Sequence, residues 1–291
     1  MTVRRTDLLL VAAAAVWGVS FVIMKEALSE ASPLLLLGVR FSVAALVLVP
    51  FIHLRQGFSR AELRAGLLLT LLLATGFATQ AIGLQYTTPA RSAFIVAMSS
   101  VLAPVIALVL LRHRTGWLVL LALVIAGVGI YFLTAPDEGG LNRGDLWTLI
   151  TAVVFGGHIV AVTEFSKRFD ARRLVWLQLP GTAIGTLIAA LLLEDLRFSG
   201  SPGFLTALLF LAVMATAVAL VWQMRAQREM TAARASLLLC FEPVFAALTS
   251  WQFWGEEFTL SQAAGAGLIL AGMMLAVIGE SRAEMEQQLA G

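Results

Sequence analysis

The chain has 291 residues, 59% of them apolar and 13% charged, with a formal net charge of +2. Soluble domains carry about 25% charged residues, so this chain has too little charge to build a polar shell, and lipid is the solvent that accounts for the deficit. The single cysteine, Cys240, excludes an intrachain disulfide, and its apolar surroundings mark it as a small packing residue. Three histidines without H-E-x-x-H or paired-Cys spacing predict neither a metal site nor a cofactor.

A helix that crosses a bilayer needs about 20 mostly apolar residues. In chain order the first candidates are Asp7–Leu28, Pro33–Leu54, Glu62–Leu84, Pro89–Leu111 and Thr115–Thr134. The next five are Gly144–Phe165, Ala171–Leu193, Pro202–Met224, Ala235–Trp254 and Thr259–Gly279. The opening run behind Arg4-Arg5 has the look of a signal peptide but reads as the first membrane helix. The gaps are short, leaving no room for an extramembrane domain. The predicted fold is an all-α membrane protein of ten transmembrane helices.

The cations sort by gap. On the side of the N-terminus lie Arg4, Arg5, Arg55, Arg60, Arg64, Arg112, Arg114, Lys167, Arg168, Arg172, Arg173, Arg225, Arg228, Arg234 and Arg282. The other side holds Lys25, Arg91, Arg143 and Arg197, and Arg40 lies inside a span. This asymmetry predicts both termini in the cytoplasm by the positive-inside rule. Cations confined to short gaps anchor helices, so nucleic acid is not an expected partner.

The two halves align. At an offset of 138, Trp17-Gly18-Val19-Ser20 lies over Phe155-Gly156-Gly157-His158, Glu26 over Glu164 and Arg40 over Gln178. At 143, Gln80 meets Gln223, Ala90-Arg91 meets Ala233-Arg234, and Ser99 meets Glu242. At 145, Ala126-Gly127 meets Ala271-Gly272. Five crossings per half make the halves inverted, the arrangement of many secondary transporters. The expected division is a first five-helix repeat over 1–136, a second over 143–280, and a cytoplasmic tail over 281–291, with a cavity between the repeats.

Candidate cavity residues are Trp17, Ser20, Thr79, Gln80, Ser99, His158 and Glu242. Glu242 is an intramembrane carboxylate followed by Pro243, which weakens the helix there; it fits a binding or gating position, or a structural carboxylate held by backbone amides or by Arg40. Arg40 reads as a structural cation that snorkels toward the near surface. His158 shares a helix stripe with Thr151, Phe155 and Val162, and is either a proton-sensitive contact or a packed core histidine. Trp17, far from the headgroup zone, should face the interior so that its N–H finds a partner. Gln80 and Gln223, as repeat mates, are expected to line the cavity together. Thr79 and Ser99 share helix faces with Thr75 and Ser92, where hydroxyls also bond their own carbonyls. Gly127, Gly129, Gly265, Gly267, Gly272 and the Gly181–Gly185 pair are expected at close helix contacts.

The residues Ala14, Val16, Trp17 and Gly18, then Arg40-Phe41 and Gly83-Leu84-Gln85-Tyr86-Thr87, resemble the EamA-type branch of the drug/metabolite transporter superfamily. So do Ala233-Arg234-Ala235-Ser236, Phe241-Glu242-Pro243-Val244, Gly255-Glu256-Glu257, Gln262-Ala263-Ala264-Gly265 and Ala271-Gly272. The chain looks most like the YddG-type amino-acid exporters; His158 departs, matching no fixed family residue. The resemblance implies an inner-membrane exporter of amino acids, other metabolites or organic cations, working by alternating access and not an enzyme. Its partners would be a small-molecule substrate and the lipid bilayer, the protein a monomer, and a proton the candidate coupling ion. The mostly uncharged wall argues against the alternative of a triose-phosphate or nucleotide-sugar carrier, which should aim basic residues at phosphate. A Ser20–His158 dyad for an intramembrane enzyme, or a channel, are the weaker alternatives.

Overall fold

The computed structural model describes residues 5–51, 57–112, 117–134, 140–227 and 238–290. Arg4, Arg55, Arg114, Arg228 and Arg234, and the Ala233–Ser236 motif, lie outside them.

Among the described residues the fold is helical throughout, with one isolated bridge, Ala31 to Phe198, as its β-type pairing. Joining helical runs that continue into one another gives α1 (Arg5–Glu30), α2 (Pro33–Leu48), α3 (Arg60–Leu84), α4 (Pro89–Leu111) and α5 (Trp117–Leu133). The later helices are α6 (Arg143–Ser166), α7 (Ala171–Leu193), α8 (202–227), α9 (241–254) and α10 (Leu260–Ala290). Seven of the described helices are long and apolar enough to cross a membrane, and α2 and α5 are shorter apolar helices. At 1.5 Å per residue the 16 residues of α2 span about 24 Å, and a 3₁₀ turn over Val49–Phe51 adds to that length. Pro50 explains the change of helix type, since it has no N–H to give to the preceding turn.

Helix ends are signalled locally. Ser59 and Asn142 form capping boxes with Glu62 and Asp145, and Asp170 accepts from the backbone of Arg172 and Arg173. Pro33, Pro89 and Pro202 occupy first turns, where a missing N–H costs nothing.

The helices pack in defined pairs: α2 on α7, α5 on α10, α3 on α6 and α7, α1 on α8 and α9, and α4 on α6. Lipid gives no hydrophobic drive for such contacts, so close backbone approach must supply dispersion. At Gly129, Gly265 and Gly272 an added Cβ would lie within 3 Å of the partner helix's backbone. Gly18 plays the same part between α1 and α9, where a Cβ would sit 2.7 Å from the carbonyl oxygen of Glu242. Gly181 abuts Thr70, but Gly127, Gly185 and Gly267 have nothing within 4 Å. The expected close contacts at these last three positions are therefore corrected: helix rotation turns them away from the seams.

Arg40 requires a second correction. It does not snorkel; only 4% of its surface is exposed. Its position mid-way along α2, between α1 and α8, leaves no path to either end.

Helix direction defines a near end, where α1 begins, and a far end, where it finishes. The far end is densely bonded. Lys25 Nζ donates to the carbonyls of Leu84, Gln85 and Thr87 at 2.7–3.0 Å. Arg91 pairs with the fully buried Asp145, which also accepts from Thr87 at 2.7 Å. Glu256 accepts from Thr88, Ser250 and the backbone of Ala90, and Glu194 accepts from the backbone of Leu34 and Leu35. Gly255, at φ +68°, makes the turn that swings Glu256 back toward α4.

Candidate functional site

A cavity of about 570 Å³ lies among α1, α2, α3, α4, α6, α7 and α8, within the size range of small-molecule sites. Its lining runs from Trp17, Phe41, Phe77 and Ala215 at mid-bundle to Thr163, Ser166, Val175 and Gln223 toward the near end. Thr163 and Ser166 are exposed, which marks the mouth. Among the described residues, no Asp, Glu, Lys or Arg lines it.

The deep wall follows from an irregularity in α8. Residues Phe210–Val218 form a π-helical stretch, in which bonds run to i+5 and carbonyls become available to other donors. Trp17 Nε1 donates to the Ala215 oxygen at 2.8 Å, fixing the indole at the wall. The Thr216 hydroxyl donates to Leu211 at 2.9 Å and accepts from Arg40 Nε, also at 2.9 Å. Phe77 stands edge-on to both Phe41 and Phe155, at 5.0 and 5.3 Å between ring centroids. Opposite, His158 Nε2 lies 2.6 Å from Gln178 Oε1, and Gln178 Nε2 donates to Leu174 at 3.0 Å. Since the amide nitrogen is spent on Leu174, its oxygen accepts and His158 Nε2 carries the proton in this pairing. The site thus offers aromatic faces, a hydroxyl and an imidazole–amide pair, suited to an organic molecule with few charges.

Of the residues singled out in the sequence, Trp17 and His158 come together on this lining. Ser20, Thr79, Gln80, Ser99 and Glu242 do not contribute to it. Ser20 donates to the Trp17 carbonyl at 2.7 Å. Thr79 is buried against Thr151, hydroxyl to hydroxyl at 2.8 Å. Ser99 is buried in α4 beside Ser100, which does line the cavity. Gln80 is half-buried toward the far end of α3, while Gln223 faces the cavity near the other end. Glu242 is half-buried at the start of α9, and its carboxylate makes neither an ion pair with Arg40 nor a hydrogen bond among the described residues. Phe77, Thr216 and Gln178 matter to the wall, yet Phe77 and Thr216 carry no sequence mark beyond lying in apolar runs. Gln178 had one signal, its alignment with Arg40.

The model of the EamA-like transporter family matches this chain twice, over residues 4–135 and 142–278. The chain belongs to the EamA-like transporter family. An uncharacterized transporter of Archaeoglobus fulgidus is 31% identical over 270 residues, covering 92% of this chain and 84% of the relative. The uncharacterized transporter YvbV of Bacillus subtilis is 28% identical and spans 93% of this chain and 91% of its own. A crystal structure at 17% identity superposes with a TM-score of 0.66 over 95% of this chain and 98% of the other, which supports the fold. This EamA-like chain is a multi-pass membrane transporter, and the cavity is its candidate substrate site.

Proposed function

We propose that this EamA-like transporter exports small metabolites, with apolar, aromatic and small neutral amino acids as its substrates, across the inner membrane by alternating access. The observation that carries the reading is the asymmetry of the bundle: an aromatic and hydroxyl-lined cavity in the near half, and a bonded far end. That is what a carrier facing one compartment requires. With the near end in the cytoplasm, as the loop cations favour, the cavity is loaded from inside.

Two inverted five-helix repeats, 1–136 and 143–280, are part of the proposal. The packing supports them. Replacing each helix by the one five places along returns the α2–α7 and α5–α10 pairs to themselves. It exchanges α1–α8 with α3–α6, and α1–α9 with α4–α6. The double match of the family model agrees. An inverted repeat also puts mates at opposite depths, so a cavity in one half meets His158 and Gln223 but not Ser20 and Gln80. In this reading Ser20 and Gln80 line the cavity when the far end opens. Ten crossings follow, with both termini cytoplasmic, and the carrier works as a monomer; a proton is the coupling ion to test.

Among the described residues the wall has no carboxylate, so zwitterions fit it better than organic cations, and none of the cations that a phosphate carrier needs. Counterflow in liposomes with labelled amino acids and labelled quaternary ammonium ions decides the matter. Exchange of the amino acids is the expected result; exchange of the cations alone would sink the amino-acid reading. Orientation is read with single cysteines at Arg60 and Gly200 in a Cys240→Ser background, which should label from opposite faces.

A further inference from the structure

Arg40 is a cation with almost no contact with water, and its environment does not neutralise it. No carboxylate lies within 4 Å of its guanidinium among the described residues. Nε donates to Thr216 Oγ1 at 2.9 Å, and Nη1 points to the thioether of Met24 at 4.0 Å, a weak acceptor. Nη2 has no acceptor among the described residues. The guanidinium carbon lies 5.2 Å from the ring of Phe77 and 5.7 Å from that of Phe41. Aromatic faces attract a cation, but they do not satisfy its in-plane N–H groups.

Three of these neighbours, Thr216, Phe41 and Phe77, line the cavity. The charge therefore sits one side chain behind the substrate wall. A buried arginine stays protonated, and without a counter-charge it is costly in a low-dielectric interior. An anion on the cavity side is the missing partner. One guanidinium matches one carboxylate in fork geometry; a phosphate dianion would require more positive charge than the wall provides.

We infer that Arg40 is the counter-charge for a carboxylate on the transported molecule, reached by rotation past Thr216. This rests on the cavity being the substrate site, and it makes the carboxylate, more than the ammonium, the group that the transporter recognises. The aromatic lining covers the apolar remainder of the molecule. A free monocarboxylate and an amino acid share this chemistry, and the test separates them.

The experiment uses the full-length protein in phosphatidylethanolamine–phosphatidylglycerol liposomes. Exchange is followed with four labelled probes that share one ring: L-phenylalanine, 3-phenylpropanoate, phenylalaninamide and phenethylamine. The wild type is expected to exchange the two carboxylates at least about tenfold faster than the two compounds without one, a difference of about 1.4 kcal/mol. Equal rates for phenylalanine and 3-phenylpropanoate mark a monocarboxylate carrier, and a preference for phenylalanine marks an amino-acid carrier; both support the role of Arg40. Arg40→Gln should bring the four rates within about threefold of one another, and Arg40→Lys should keep part of the preference. Met24→Glu is the second variant. It places a carboxylate beside the guanidinium, keeps the buried charge paired, and should fold while losing the preference for carboxylates. Rapid exchange of phenylalaninamide and phenethylamine by the wild type overturns the inference while leaving the transporter reading intact. A carboxylate preference that survives in a folded Arg40→Gln or Met24→Glu protein also overturns it. Exchange of none of the four overturns both.

Discussion

The indole nitrogen of Trp17 donates to the backbone oxygen of Ala215 at 2.8 Å, joining α1 to the π-helical stretch of α8 at the floor of the cavity. The bond connects the two halves of the chain at the wall of the candidate site. Trp17→Phe keeps a ring but leaves the Ala215 carbonyl without its donor, and should cost about 1–2 kcal/mol in stability. Trp17→Ala also removes contact area for a large side chain. Competition against one labelled substrate should then weaken for large apolar amino acids by about tenfold more than for threonine-sized ones, equivalent to about 1.4 kcal/mol. Equal loss across all competitors would reduce Trp17 to a packing residue.

Glu242 abuts Gly18 through its backbone and makes no side-chain bond among the described residues. Glu242→Gln is isosteric and removes only the charge. It should change the transport rate, or the dependence of that rate on pH, while expression stays near wild type. A rate and pH profile matching wild type in liposomes would make the carboxylate structural.

In the alternating-access mechanism proposed above, the far-end bonds hold the bundle shut on that side, so breaking one should populate the opposite state. Asp145 accepts from Arg91, Thr87 and the backbone of Asn142, and its side chain is fully buried. Asp145→Asn removes the charge that pairs with Arg91. A cysteine at Gln80, in a Cys240→Ser background, should then react with a membrane-impermeant maleimide from the far side about tenfold faster, a shift of about 1.4 kcal/mol in the conformational equilibrium. Unchanged labelling would mean that the Arg91–Asp145 pair does not gate the far end.

Two glycines two residues apart on α10 should behave oppositely. A Cβ on Gly265 would lie 2.3 Å from the backbone nitrogen of Leu133, whereas one on Gly267 meets nothing within 4 Å. Gly265→Ala should therefore destabilise by about 1–3 kcal/mol through overpacking. Gly267→Ala should stay within about 0.5 kcal/mol of wild type. Thermal unfolding in detergent, compared at one protein concentration, separates them; similar melting temperatures would contradict the α5–α10 seam.

Long apolar runs, their flanking prolines and capping residues fix helices in the sequence itself, because lipid forces the backbone to bond within each segment. That is why runs read as opening at Pro33, Pro89 and Pro202 open there in the structure, while those read as opening at Glu62, Gly144 and Ala171 are capped by Ser59, Asn142 and Asp170 just ahead of them. The cation asymmetry likewise needed no coordinates to be seen, and Trp17 and His158 were legible from their depth and helical spacing. What the sequence could not supply was rotation, depth and partner. Gly265 and Gly267 look alike in a chain of letters, and only the roll of α10 against α5 puts one in the seam. Gln80 and Gln223 align as mates, yet they lie toward opposite ends of the bundle, and only one of them meets the cavity. The fate of Arg40 depended on which residues of other helices surround it. A long flexible side chain in a span can snorkel to the surface or stay buried, and contacts with Met24, Phe41, Phe77 and Thr216 hold Arg40 inside the bundle, one side chain behind the cavity.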